Sequence, residues 1–213
     1  MGYSNIIFDL DGTLSDSKHD IAGAQLWVLN QLGITHVQPH HLFPFIGRKL
    51  EETFEYILPV ELHHRIPEAA KMYVEYYVPR SLATTVPFPG VRETLAALAA
   101  NGKVMAIGST KKSPQIRRVT DHFGITGFFV QLQGSEELPA KPDPSILNKI
   151  IADQGWNLSA TLMVGDTDYD VLAGQRAGIA TCGVTYGSLS ESDLRAFSPD
   201  HLIGDFPSLL SIV

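Results

Sequence analysis

A single cysteine in 213 residues excludes an intramolecular disulfide, so this chain has to be held by a buried core rather than by covalent staples. That cysteine, Cys182, lies in the apolar run Ile179-Ala180-Thr181-Cys182-Gly183-Val184. It is read as a core thiol, because a free cysteine commonly behaves as a small hydrophobe. No apolar run approaches the roughly 18 residues that a membrane helix needs. The N-terminus also lacks a basic segment followed by an apolar signal core. Both absences lead us to expect a soluble, cytoplasmic protein with no membrane partner. Basic charge is scarce as well: 16 Lys and Arg stand against 23 Asp and Glu, a net charge of −7. That balance argues against nucleic acid as a partner, since phosphate-backbone binders carry a clustered basic face. A small phosphate is not excluded, because one lysine and a divalent cation make a local pocket attractive to anions. Internal repeats and low-complexity tracts are missing. The pairs His40-His41 and His63-His64 have no further ligands at metal-site spacing and are expected to be surface or cap histidines. Apolar material is plentiful, at 44% of residues, which suffices for a full core with one domain and an insert.

The most informative stretch is Asn5-Ile6-Ile7-Phe8-Asp9-Leu10-Asp11-Gly12-Thr13. A short apolar run bounded by glycine reads as a buried strand, and residues two apart on a strand share a face. Asp9 and Asp11 are therefore predicted on one face at a strand end. Two buried carboxylates repel each other unless a cation, a proton or hydrogen-bond donors offset the charge, so chemistry is the reason to keep them. The competing reading is an Asx-type turn, where Asp and Gly are ordinary.

After residue 88 the pattern alternates between strand and helix. Val91, Leu95 and Leu98 mark a helical face ending near Gly102, and strand 104–107 follows. Ile116, Val119 and Phe123 mark a second helix ending near Gly124, before the apolar run Phe128-Phe129-Val130. Further strands fit 161–164, 180–184 and 201–203, with helices near 145–153, 169–177 and 206–211. Such alternation predicts an α/β fold with a doubly wound parallel sheet, whose ligands gather at the carboxyl ends of the strands. Residues 15–85 break the rhythm and read as helical, with segments from Ile21 to Leu32, Leu50 to Leu58 and Pro67 to about Tyr77.

Four motifs fall in order at predicted strand ends: Asp9-Leu10-Asp11-Gly12-Thr13, Gly108-Ser109-Thr110-Lys111, Lys141-Pro142-Asp143-Pro144, and Gly165-Asp166-Thr167-Asp168-Tyr169-Asp170. Together they resemble the four signatures of the haloacid dehalogenase (HAD) superfamily, in its phosphoglycolate phosphatase-like branch, over almost the whole chain. The resemblance implies a Rossmann-like core of residues 1–14 and 86–213 and a small all-helical cap, 15–85, inserted after the first strand. Hinges are expected at Leu14 to Lys18 and at Thr84 to Gly90. It also implies a Mg²⁺-dependent phosphatase acting on a small phosphorylated metabolite, as a monomer or homodimer. Oxygen-only ligation suits Mg²⁺.

By the same resemblance Asp9 is the nucleophile that forms an aspartyl-phosphate. It ligates the metal together with Asp166 and the backbone carbonyl of Asp11. Asp170 supports the metal site, through water or by orienting Lys141. Ser109 and Lys141 hold the transferring phosphoryl group. Because the second motif reads Ser109-Thr110-Lys111 rather than a hydroxyl residue, Asn or Ser, then Lys, either Ser109 or Thr110 can face the phosphate; Ser109 is favoured as the first residue after the strand and its glycine. Asp11 is read as the general acid and base, protonating the leaving alkoxide and then activating water. Its presence favours phosphate-ester chemistry over the C–halogen and P–C branches. Asp168 is read either as a solvated loop residue or as outer support for the site.

In the cap, Phe45-Ile46-Gly47-Arg48-Lys49-Leu50 resembles the family's loop and helix start that face the active site. Arg48 is a candidate specificity residue, able to pair with a substrate carboxylate, and equally readable as a solvated charge at a helix start. Expected substrates are phosphoglycolate-like compounds, nucleotide monophosphates or sugar phosphates. A phosphomutase would share every motif, and a phosphate-binding regulator or a signalling receiver would share the acidic cluster with a hydroxyl residue and a lysine. Receivers are shorter, lack a helical insert and do not carry the phosphorylated Asp on the first strand.

Overall fold

A computed structural model describes residues 2–213. Along the chain come β1 (Asn5–Phe8), a short β2 (Ser15–Asp16), the helices α1 (Lys18–Gln31), α2 (Leu50–Ile57) and α3 (Ile66–Tyr77), and a short β3 (Val86–Pro87). Helices and strands then alternate: α4 (Val91–Ala100), β4 (Val104–Gly108), α5 (Ser113–His122), β5 (Phe129–Gln133), α6 (Ser145–Gln154), β6 (Thr161–Gly165), α7 (Asp168–Ala177), β7 (Ala180–Val184), α8 (Glu191–Arg195) and β8 (His201–Ile203).

Six strands form one parallel sheet in the order β5-β4-β1-β6-β7-β8. The chain leaves β1 for β4 and β5 on one side, then crosses to β6 on the other. That reversal makes the carboxyl end of β1 the switch point where such sheets bind ligands. Phe8 is in register with both Ile107 and Val164. Asp9, the Gly108-Ser109 pair and the Gly165-Asp166 pair therefore lie abreast.

Each face of the sheet buries its own layer, because strand side chains alternate. Ile6 and Phe8 point into a cluster with Leu95 and Leu98 of α4, Ile116 and Val119 of α5, and Phe206 and Leu209. Ile7 points the other way, against Ile146 and Ile150 of α6 and Ala173 of α7. Cys182 is buried, and burial pushes its thiol up to about 12, in keeping with an inert core residue.

Two elements differ from expectation in detail. The last helix, Phe206–Ser211, is 3₁₀ rather than α. Phe206 and Leu209 are both buried, and a three-residue turn aligns i with i+3; Pro207 and the Asp205 side chain, which accepts from Ser208 N–H, start it. The fifth strand runs over Phe129–Gln133, displaced from the apolar run 128–130. As an edge strand bonded only to β4, it needs no continuous apolar sequence.

The region between β2 and β3 carries helices and 3₁₀ turns and forms an inserted helical cap. It has an apolar cluster of its own, built on Val28, Leu29, Leu42, Phe54, Leu58 and Ala69. β2 and β3 pair antiparallel, Ser15 opposite Pro87 and Asp16 opposite Val86, so the outgoing and returning chains run side by side. The Asp20 carboxylate then accepts from the backbone N–H and hydroxyl of both Thr84 and Thr85. The histidine pairs are ordinary: His41 Nδ1 accepts from Gln38 N–H, and His63 Nε2 donates to the Leu58 carbonyl. Among the described residues, no helix is long and apolar enough to cross a membrane.

Candidate active site

The carboxyl ends of β1, β4 and β6 deliver the first, second and fourth motifs to one place, and the loop before α6 brings Lys141 beneath them. Asp9 follows β1 and is 3% exposed. The Lys141 ammonium donates to Asp9 Oδ1 at 2.7 Å and to Asp170 Oδ1 at 2.5 Å. Asp170, near the start of α7, has its other oxygen taken by the Thr167 N–H (3.0 Å) and hydroxyl (2.6 Å), a capping box that fixes the carboxylate against Lys141. Burial alone would lower the Lys141 pKa, but the Asp170 and Asp9 carboxylates more than offset it and hold the ammonium charged.

Asp166 is fully buried and has only neutral donors: the Thr13 hydroxyl at 3.1 Å and the Ser188 N–H at 2.8 Å. Burial, reinforced by the Asp170 and Asp9 charges, pushes its carboxyl up to about 8. Burial also raises Asp9, against the pull of Lys141, to about 6. Asp9, Asp166 and Asp170 present carboxylate oxygens within 4.8 Å of one another. Three buried carboxylates around one ammonium leave negative charge uncompensated, and the donor set is all oxygen. Those residues fit a hard divalent cation such as Mg²⁺.

The backbone allows this crowding only because of Gly12. Its φ is +87°, and a Cβ there would lie 2.1 Å from Asp166 Oδ2. Gly12 thus turns the chain away from β1 while letting Asp166 approach.

Asp11 belongs to a different set. Its Oδ1 accepts from the Ser17 hydroxyl at 2.6 Å, and its Oδ2 pairs with Lys111 at 3.0 Å. Lys111 also donates to the Tyr77 hydroxyl of α3 at 2.8 Å, so one buried ammonium links the second carboxylate to the cap. The Asp11 side chain is outside the three-carboxylate cluster. Ser109 is 2% exposed, and its hydroxyl accepts from the Lys111 N–H. Thr110 Oγ1 is buried with no hydrogen-bond partner among the described residues.

Above these groups lies a cavity of about 680 Å³ between cap and core. Asp9, Asp11, Ser109, Thr110 and Lys111 line its floor, and Gln25, Arg48 and Tyr73 face it from the cap. Arg48 lines the cavity but already has core partners: its guanidinium donates to the Tyr169 hydroxyl at 3.2 Å, lies 4.6 Å from that ring centre and is 3.6 Å from the Asp168 carboxylate. Asp168 is thus the core end of a cap contact rather than a free loop charge.

Sequence reasoning passed over Lys111 as a site residue, although it closes the second motif. It also had no means of finding Ser188, whose N–H reaches Asp166 from a turn after β7, nor Ser17 or Gln25. Those positions carry no local signal.

The family model described as haloacid dehalogenase-like hydrolase matches residues 6–184. The chain is 31% identical to a 5′-nucleotidase of Pseudomonas aeruginosa, over 99% of this chain and 96% of that protein. It is 30% identical to a phosphoglycolate phosphatase of Haemophilus influenzae, over 97% and 96%. A solved haloacid dehalogenase-like hydrolase from Streptococcus pneumoniae superposes with a TM-score of 0.90 at 26% identity, covering 98% of this chain and 97% of that one. With the sheet order, the inserted cap and the three-aspartate cluster, these similarities show that the chain belongs to the haloacid dehalogenase-like hydrolases, in their phosphoglycolate phosphatase-like branch.

Proposed function

We propose that the protein is a Mg²⁺-dependent phosphatase that hydrolyses a small phosphomonoester through an aspartyl-phosphate on Asp9. The observation that carries this reading is the placement of Asp9: its carboxylate opens onto the cavity, is held by Lys141, and is clustered with Asp166 and Asp170. Asp9, Asp166 and the Asp11 carbonyl would hold the cation, which supplies charge neutralisation for the phosphoryl oxygens.

Asp9 attacks phosphorus, and the P–O bond to the leaving group breaks as the proton of Asp11 passes to the departing oxygen. A water then attacks the phosphoryl group while Asp11 takes its proton, releasing phosphate and restoring Asp9. Lys141 and the Ser109 or Thr110 hydroxyl hold the phosphoryl oxygens, and Lys141 keeps Asp9 ionised. Asp170 orients Lys141. The paired strands β2 and β3 and the separate cap cluster support a division at residues 14/15 and 85/86, with closure of 15–85 excluding water from the site. The relatives named above act, by their names, on nucleotides and on phosphoglycolate, and both compound types fall within this reading together with sugar phosphates.

A phosphate-release assay on an aryl phosphate tests it. Turnover with Mg²⁺, its loss in chelator and its restoration by added metal are expected. Undiminished turnover after complete metal removal rejects the mechanism, and dependence on a bisphosphate activator points to a phosphomutase instead.

A further inference from the structure

The cavity is larger than phosphate chemistry requires, and its cap side holds a buried amide oxygen without a partner. Gln25 projects from α1, is 3% exposed and lines the cavity, and among the described residues its Oε1 has no hydrogen-bond partner. Buried polar atoms without partners are uncommon, because each has given up water without replacement. Nothing in the phosphoryl-transfer chemistry uses this one. Three of the lining cations are in the opposite condition, whereas Lys49 and Lys112 form no ion pair among the described residues. Arg48 is engaged by Asp168 and Tyr169, Lys111 by Asp11 and Tyr77, and Lys71 pairs with Glu75 in solvent. Much of the remaining wall is apolar or aromatic: Ile21, Ile46, Leu50, and the rings of Tyr73 and Tyr77, stacked 5.1 Å apart at 18°.

Resting on the phosphatase reading, we propose that the substrate's leaving group is a neutral, ring-bearing alcohol of nucleoside or sugar size, and that Gln25 determines this specificity by accepting a hydrogen bond from one of its O–H or N–H groups. A volume of about 680 Å³ falls in the range of roughly 300–1,000 Å³ typical of sites that enclose drug-sized ligands. A two-carbon acid would leave most of it to water. A carboxylate has no donor for Gln25 Oε1. An O–H or N–H satisfies the amide oxygen, and a flat ring or sugar face suits the tyrosine and aliphatic wall. The amide NH₂ of Gln25 can bond an acceptor on the same group, so a sugar hydroxyl or the edge of a base is read from both sides.

The test compares kcat/KM of the Mg²⁺-loaded wild type on p-nitrophenyl phosphate, phosphoglycolate, nucleoside 5′-monophosphates and hexose phosphates. The nucleoside or hexose compounds are expected to exceed phosphoglycolate by about ten-fold or more, and whichever arm is higher identifies the source of the ring. In Gln25→Leu, the ratio of kcat/KM for the preferred compound to that for p-nitrophenyl phosphate should fall by about ten-fold. Taking the ratio within one variant cancels any loss of folded enzyme. Phosphoglycolate turned over as well as the neutral compounds, or a ratio unchanged in Gln25→Leu, overturns the proposal; the first result would place recognition on a lining lysine such as Lys49. Absent or metal-independent hydrolysis of p-nitrophenyl phosphate would instead overturn the phosphatase reading, and this inference with it.

Discussion

Only Leu10 separates Asp9 from Asp11, yet the fold gives them different partners, and the difference is what allows different roles. Asp9 faces Lys141 and the buried carboxylates, whereas Asp11 faces Ser17 and Lys111. Asp9→Asn is expected to abolish both turnover and phosphorylation of the protein, since an amide is a poor nucleophile. Asp11→Asn should slow poor leaving groups most and lengthen the life of any phosphoenzyme, because a stable leaving group needs less protonation. Rates across a series of aryl and alkyl phosphates decide this, and equal losses at every leaving-group pKa would make Asp11 structural. Lys141 is the cation between Asp9 and Asp170, and removing one member of a buried ion pair typically costs about 3–5 kcal/mol. Lys141→Met should lower unfolding stability by that order in urea titrations without metal, and should also lose activity. A variant as stable as the wild type would show that Asp9 and Asp170 tolerate each other without the ammonium.

The elements meet at a seam where the cap loop before α2 touches the start of α7. Gly47 approaches so closely that a Cβ would lie 3.3 Å from the Thr167 side chain. Arg48 bonds Tyr169 and pairs with Asp168, while the Tyr169 hydroxyl donates to Glu52 of α2. Arg48 had two readings in the sequence, a reader of substrate or a surface charge, and its contacts suggest a third, in which it fastens the cap over the core. On that reading Arg48→Ala and Asp168→Ala should lower kcat/KM to similar extents on aryl phosphate and on the preferred substrate. The double variant should be little worse than either, with a coupling energy of about 0.5–3 kcal/mol. Additive losses, or a loss by Arg48→Ala confined to the preferred substrate, would return Arg48 to substrate recognition.

For the whole molecule, the buried acidic cluster makes stability depend on pH and on metal together. Burial raises Asp166 to about 8 and Asp9 to about 6, against the usual 3.8, so the metal-free folded protein binds more protons than the unfolded chain between those limits. Stability from these groups is therefore fully present below 3.8 and is lost as pH rises through 6 and then 8. A divalent cation that binds the deprotonated, folded cluster stabilises by mass action. Added Mg²⁺ should thus raise Tm by several degrees at about pH 8.5 and little at about pH 5. Thermal melts with and without the metal measure it, and a shift as large at the acidic pH would mean that the cluster is not where the metal acts.

What the sequence determined by itself was local. The parallel α/β alternation, the helical insert and the residues Asp9, Ser109, Lys141, Asp166 and Asp170 were legible because apolar runs, helical periodicity and short motifs at strand ends are carried by neighbours in the chain. Even so, its weakest readings were short elements: the strand at Phe129–Gln133, freed from apolar continuity by its edge position, and the turn at Phe206–Ser211, tightened by Pro207 and by two buried side chains three residues apart. Only the tertiary structure decided what reaches across the chain. The Ser188 N–H meets Asp166 from 22 residues away, Lys111 reaches Tyr77 over 34, and Arg48 reaches Tyr169 over 121. Gln25 is distinguished solely by a buried oxygen left without a partner, which no residue beside it in the sequence foretells. Hydrogen bonds and ion pairs depend on where side chains end up in space, so they follow from packing the cap on the core and not from the local pattern that forms each element.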